Sequence, residues 1–280
     1  IMATDPDSDR VGIGVKNPQG EYQLLNGNQT GALIVNYLLS KWQENGKLTG
    51  KEYVVKTIVT TDLIGKIAEK YDVKMYETLT GFKYIAALIG ELEGKEKFIG
   101  GGEESYGYLI SDFVRDKDAI ASCAIIAELT AYYKDQGKSL FDVLTDIYLE
   151  HGQYLEGLVS ITKKGKSGAE EIREMMKNLR NDPPKELAGD EVKTLMDYSS
   201  LESKNLATGE VTHIDQPTSN VLQFLTADGS KISARPSGTE PKIKFYFSVS
   251  RTLESREGYL ENIEKLEEKI ELIKKDLLRE

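Results

Sequence analysis

The chain has 280 residues, with 36 Lys and Arg against 46 Asp and Glu, a net charge of −10 at pH 7 that argues against a nucleic-acid partner. With 39% hydrophobic content it can bury one large core or two ordinary ones, and two domains are expected. The single cysteine, Cys123, rules out an intrachain disulfide, no apolar run approaches a membrane span and the start lacks a signal-peptide pattern, so a cytoplasmic protein with no membrane partner is expected.

Ile1-Met2-Ala3-Thr4 reads as the end of a strand entered midway, so the chain reads as a fragment. Leu33, Val35, Leu38, Leu39 and Trp42 follow helical spacing as far as Gly46. Residues 52–60, EYVVKTIVT, are β-branched and nearly all apolar, which suits a strand buried on both faces of a parallel sheet. Asp62 opens a helix carrying Leu63, Ile67 and Ala68, followed by a strand KMYETL, a helix over 82–92 and a strand over 97–101. A long helix over 118–133 places Ile120, Ala124, Ala127 and Leu129 as apolar positions. This alternation predicts an α/β domain. Past Gly152 a strand LVSIT, a charged helix over 169–179 and several short strands predict a smaller α+β domain with an antiparallel sheet. There Asp228-Gly229 between apolar runs predicts a hairpin, and 243–250 a third strand. Leu260, Ile263, Leu266, Ile270, Ile273 and Leu277 predict a closing amphipathic helix.

Three loops carry chemistry. In Asp5-Pro6-Asp7-Ser8-Asp9-Arg10 the alternating carboxylates can converge on one hard cation, magnesium being the natural candidate, against a solvated acidic turn or an aspartyl nucleophile. Gly100–Gly107 follows a strand, and its glycines let Glu103, Glu104 and Ser105 project where they suit sugar hydroxyls, against a plain polar turn. Arg235-Pro236-Ser237-Gly238-Thr239-Glu240-Pro241 combines a fork-shaped cation, two hydroxyls and backbone N–H groups, the makings of a phosphate cradle, against a Pro/Gly turn. Lys83, where a loop enters a helix, is a weaker candidate for meeting negative charge, against a solvated lysine, and Arg115 and Lys117 form another mixed-charge approach to a helix with the same bland alternative. His151 and His213 lack triad or zinc spacing, and Cys123, Tyr132 and Tyr133 read as packing.

Taken in order with Thr78-Leu79-Thr80-Gly81-Phe82-Lys83, these loops resemble the α-D-phosphohexomutases, the phosphoglucomutase/phosphomannomutase family, along essentially the whole chain. The resemblance implies the end of domain 2 over 1–20, a three-layer α/β domain 3 over 21–152 and an α+β domain 4 over 153–280. It further implies that Asp5, Asp7 and Asp9 hold Mg²⁺, that Arg10 stands near the transferring phosphoryl group and that Lys83 is a general acid/base or phosphate contact. Glu103 and Ser105 would grip the sugar, and Arg235, Ser237, Gly238 and Thr239 its non-reacting phosphate. Glucose 1-phosphate and glucose 6-phosphate would interconvert through a phosphoserine, with glucose 1,6-bisphosphate as activator. The family's Ser-His-Asn-Pro run is absent from this sequence, so the isolated chain is expected to be inactive. Mannose or pentose phosphate as substrate, an aspartyl phosphatase and a non-catalytic sugar-phosphate-binding module are the competing readings.

Overall fold

The computed structural model describes residues 1–17 and 19–278. They form two compact units, Ile1–Gly152 and Gln153–Glu280.

The first unit opens with an antiparallel sheet of β1 (Met2–Thr4), β2 (Val11–Lys16) and β3 (Tyr22–Leu25), in that order. Ile13 pairs with Leu25 and both are buried, whereas Leu24, on the other side of the pleat, is exposed. Pairing of Lys16 with Tyr22 joins the strands on either side of residue 20 in one sheet. Helix α1 (Gly27–Glu44) begins well before its apolar stripe because Asn26 and Gln29 close a reciprocal capping box. Asn26 Oδ1 accepts from the Gln29 N–H at 2.9 Å, and Gln29 Oε1 from the Asn26 N–H at 3.0 Å.

A four-stranded sheet follows, built from β4 (Glu52–Thr57), β5 (Lys74–Thr78), β6 (Lys97–Glu103) and β7 (Gly107–Ile110) in the order β5-β4-β6-β7. β4 runs parallel to both neighbours and is buried throughout, while β7 returns antiparallel to β6. The connecting helices are α2 (Leu63–Lys70) and α3 (Phe82–Leu92). Phe82, Ile85 and Ile89 of α3 cover Tyr53, Val55, Phe98 and Leu109 on one face, and α1, packed on β6 and α2, covers the other. Three layers result.

Helices α4 (Ala119–Asp135) and α5 (Leu140–His151) complete the unit. Here the sequence reading needs correction: Ile120, Ala124 and Ala127 are exposed, and α4 instead buries Ala119, Ser122, Ile126, Leu129 and Tyr133. The helix is apolar on more than one side, so periodicity does not select the core face. The cap does: the Asp118 side chain accepts the N–H of Ile120 and Ala121 at 2.9 and 3.0 Å, and the Asp118 N–H donates to the Tyr108 carbonyl at 2.9 Å. Cys123, expected in the core, is half-buried on this helix.

The second unit comprises β8 (Gln153–Thr162), α6 (Gly165–Asn181), β9 (Glu186–Leu187), β10 (Asp190–Asp197), β11 (Glu202–Asn205), β12 (Val211–His213), β13 (Leu222–Thr226), β14 (Lys231–Pro236), β15 (Lys242–Arg251) and α7 (Tyr259–Leu278). Its antiparallel sheet has the order β12-β11-β10-β13-β14-β15-β8, with β9 added beside β10. Gly229, at φ +89°, makes the predicted hairpin between β13 and β14. Ile172 and Met176 of α6 and Leu266, Ile270 and Ile273 of α7 pack onto Phe224, Ile232, Phe245 and Phe247. Leu260 lies off this stripe, 64% exposed.

Candidate functional site

Asp5–Arg10 curls between β1 and β2. Ser8 adopts φ +58°, its N–H donates to the Asp5 carbonyl at 3.1 Å, and Asp5 Oδ1 accepts the N–H groups of Asp9 and Arg10 at 3.1 and 3.0 Å. Desolvation works to raise the Asp5 pKa, but these N–H donors prevail and hold it below the ordinary carboxylate value. The turn thereby brings Asp5, Asp7 and Asp9 together, with one oxygen of each within 4.8 Å of the others. An all-carboxylate donor set with one ligand kept ionised fits a hard divalent cation such as Mg²⁺. Arg10 Nε stands 3.6 Å from Asp9 and 4.0 Å from Asp5.

The strand β6 runs two residues past its expected end at 101, so Gly100–Gly102 lie in the sheet and Glu103 closes the strand, with Glu104, Ser105 and Tyr106, at φ +70°, making the β6–β7 turn. Two backbone bonds stitch it and its surroundings to the acidic loop: the Val11 N–H donates to the Tyr106 carbonyl, and the Ala119 N–H to the Ser8 carbonyl, each at 3.1 Å. Helix α1 presses on the same turn. A Cβ on Gly27 would lie 1.9 Å from the Glu104 carbonyl oxygen, an approach that only glycine permits.

Glu103 is 9% exposed, and its Oε1 accepts the Gly81 N–H at 2.7 Å. Burial pushes its carboxyl above the usual range, outweighing that hydrogen bond. The Gly81 bond ties the loop before α3 to the turn. Lys83, the second residue of α3, is exposed, with its Nζ 4.8 Å over the Tyr84 ring. Asp5, Asp7, Asp9, Arg10, Lys83, Glu103 and Ser105 thus all belong to the first unit.

Lys117, whose bland alternative is a solvated side chain, belongs with this group. Its Nζ pairs with Asp9 Oδ2 at 2.8 Å and Asp116 at 3.1 Å, and its chain crosses so close to Gly107 that a Cβ there would meet Lys117 Cδ at 2.3 Å. Nothing in Arg115-Asp116-Lys117-Asp118 marks which of its two cations turns inward.

In the second unit Arg235 is the penultimate residue of β14, and Ser237–Pro241 leads into β15. Ser237 Oγ accepts the N–H groups of Thr239 and Glu240 at 3.3 and 3.2 Å, and the Ser237 N–H donates to the Lys242 carbonyl at 2.7 Å, which closes a compact turn. Ser237, Gly238 and Thr239 are exposed and Arg235 half-buried. Strand register sets Lys244 directly opposite Arg235, so two cations stand at the base of the turn. The available signal for Lys244 was its place on the strand leaving the loop.

The layered first unit and the antiparallel second unit define an α/β plus α+β architecture. Residues 26–150 match the family model described as phosphoglucomutase/phosphomannomutase, alpha/beta/alpha domain III, and residues 162–266 match that family's C-terminal domain. The chain therefore belongs to the phosphoglucomutase/phosphomannomutase family. Phosphoglucomutases of Staphylococcus haemolyticus (strain JCSC1435) and Staphylococcus aureus (strain MRSA252) are both 39% identical to it, over 89% of this chain but 45% and 44% of their own lengths. It spans less than half of these relatives. Among solved structures, Paramecium parafusin, a phosphoglucomutase in its open form, superposes with a TM-score of 0.63 at 21% identity, covering 98% of this chain and 45% of that one. A phosphoglucomutase/phosphomannomutase family protein from Burkholderia thailandensis gives 0.58 at 15% identity, over 99% of this chain and 46% of that one. Among the described residues no helix is long and apolar enough to cross a membrane.

Proposed function

We propose that the chain is the carboxyl-terminal part of a magnesium-dependent cytoplasmic phosphosugar mutase that interconverts glucose 1-phosphate and glucose 6-phosphate through a phosphoserine and a bisphosphorylated intermediate. The observation that carries this reading is the three-carboxylate loop, whose next residue Val11 donates its N–H to the Tyr106 carbonyl of the Glu103–Gly107 turn and so sets a cation site beside a hydroxyl-binding segment. Asp5, Asp7 and Asp9 would hold Mg²⁺, which when bound supplies neutralisation of phosphoryl charge. Arg10 assists at that charge. Glu103 and Ser105 grip sugar hydroxyls. Arg235, Ser237, Gly238 and Thr239, with Lys244 added by strand register, hold the phosphate that is not reacting. Lys83 serves as an acid/base or phosphate contact. Phosphoryl transfer needs mainly such positioning and charge neutralisation.

The 280 residues contain no Ser-His-Asn-Pro run, so the phosphoryl carrier is assigned outside them and the isolated chain is expected to bind without turnover. ³¹P NMR of glucose 1-phosphate with this chain, Mg²⁺ and a little glucose 1,6-bisphosphate tests both points. Broadened phosphate lines without glucose 6-phosphate support the reading. Glucose 6-phosphate would refute the outside carrier, and lines as sharp as in free solution would refute the binding assignment.

A further inference from the structure

We propose that Lys56 is a positioning residue that sets both carboxylates of the β6–β7 turn, an inference that rests on reading Glu103–Gly107 as the sugar-binding segment. Lys56 lies near the C-terminal end of β4, in register with Glu77 of β5 on one side and Gly102 of β6 on the other. Its side chain is 0% exposed. Nζ is paired with Glu77, lies 2.9 Å from Asp62 Oδ1, and reaches the carbonyl oxygens of Thr57 and Thr60 at 3.4 and 3.3 Å. Burial by itself would discharge this group, but the two carboxylates prevail and hold its pKa above the usual lysine value, so it is an ammonium at neutral pH. Asp62 sits at the N-cap of α2 yet makes no side-chain cap bond among the described residues. Its carboxylate serves the ammonium instead.

Two branches lead from Lys56 to the turn. Through the first, it clamps the carbonyls of Thr57 and Thr60, whose hydroxyls stand 2.9 Å apart and lie 3.3 and 3.1 Å from Glu104 Oε2. Through the second, its bond to Glu77 fixes the end of β5, which runs on to Gly81, whose N–H holds Glu103 Oε1 at 2.7 Å. The two carboxylates that precede Ser105 are therefore anchored through different elements that converge on one charge. A lysine that merely filled the core would couple to neither, whereas this one couples to both.

Hydrogen–deuterium exchange on the 280-residue chain tests this without any ligand. In Lys56→Met, amides of 79–82 and 103–107 should exchange at least about tenfold faster, in excess of any change elsewhere in the first unit and with β13–β15 unaltered. Uniform acceleration across the first unit, or none at 103–107, overturns the proposal. Should Lys56→Met not fold, Glu77→Gln keeps the side-chain shape and must loosen 79–82 and 103–107 in the same pattern, and its absence there overturns the proposal equally. Glucose 1-phosphate should protect 103–107 in the unmodified chain, and failure of that protection would sink the sugar-binding reading while leaving the exchange result to stand. In the variants the affinity for glucose 1-phosphate should fall by about tenfold while that for inorganic phosphate is retained, because the Arg235 turn lies in the other unit.

Discussion

Gly27→Ala isolates the close approach of helix α1 to the Glu104–Tyr106 turn. Gly27 is the first residue of α1, where alanine would ordinarily help the helix by up to about 1 kcal/mol. Against this, the new methyl would lie 1.9 Å from the Glu104 carbonyl oxygen, 2.7 Å from its carbon and 2.9 Å from the Tyr106 nitrogen. All three are backbone atoms, so no rotamer change relieves the contact and the turn must retreat by more than 1 Å. Overpacking that displaces backbone costs about 1–3 kcal/mol, and the upper end applies here. The net loss is about 2 kcal/mol, which for a unit of this size lowers Tm by about 4–8 °C. Trp42, the single tryptophan, lies in α1, so its fluorescence follows the melting of the first unit. Because the Tyr106 carbonyl also holds the Val11 N–H, Mg²⁺ affinity at the adjoining acidic loop should fall as well. A Tm equal to or above that of the parent chain, with unchanged Mg²⁺ binding, would refute the reasoning.

Asp7→Asn should remove most of the Mg²⁺-induced rise in the Trp42 melt, since it takes one of three carboxylates from the cation; calorimetric titration with Mg²⁺ checks this, and parent-like affinity would count against the site. Glu103→Gln should stabilise the first unit at pH 7 and lose sugar-phosphate affinity. Burial raises the folded pKa of Glu103, so the ionised wild-type carboxyl costs stability above that folded value, and in melts taken from pH 3.5 to 8 the variant's advantage should shrink as pH falls from the folded value toward the unfolded value of about 4 and be lost below it. Asp197 behaves in the opposite sense: burial would raise its pKa, but Arg180 Nε at 2.6 Å and the Ser199 donors prevail and lower it. Its contribution to the second unit is present above the unfolded value of about 4 and lost as pH falls through the lower folded value, and Arg180→Ala should flatten that acid limb in calorimetry. Arg235→Ala should weaken inorganic phosphate binding by about tenfold or more in ³¹P titrations, because a charge-assisted bond is removed.

Much of the architecture was legible because it rests on local signals. The β-branched, mostly apolar run at 52–60 announced a strand covered on both faces, although the strand itself stops at Thr57, Asp228-Gly229 announced the hairpin, and the acidic alternation from Asp5 to Asp9 announced a turn that brings three carboxylates together. Tertiary structure decided what depends on approach from a distance. The core face of α4 was chosen by the bond from Asp118 to Tyr108, the inward turn of Lys117 by the position of Asp9, and the pairing of Lys244 with Arg235 by strand register. Gly27 and Lys56 carry no sequence signal at all. One is a glycine because backbone from far along the chain presses against it, and the other a charged residue in a buried strand because two carboxylates, one on the neighbouring strand, meet it there. Periodicity reports which residues share a face of their own element, and only folding brings the partner elements that give such residues their task.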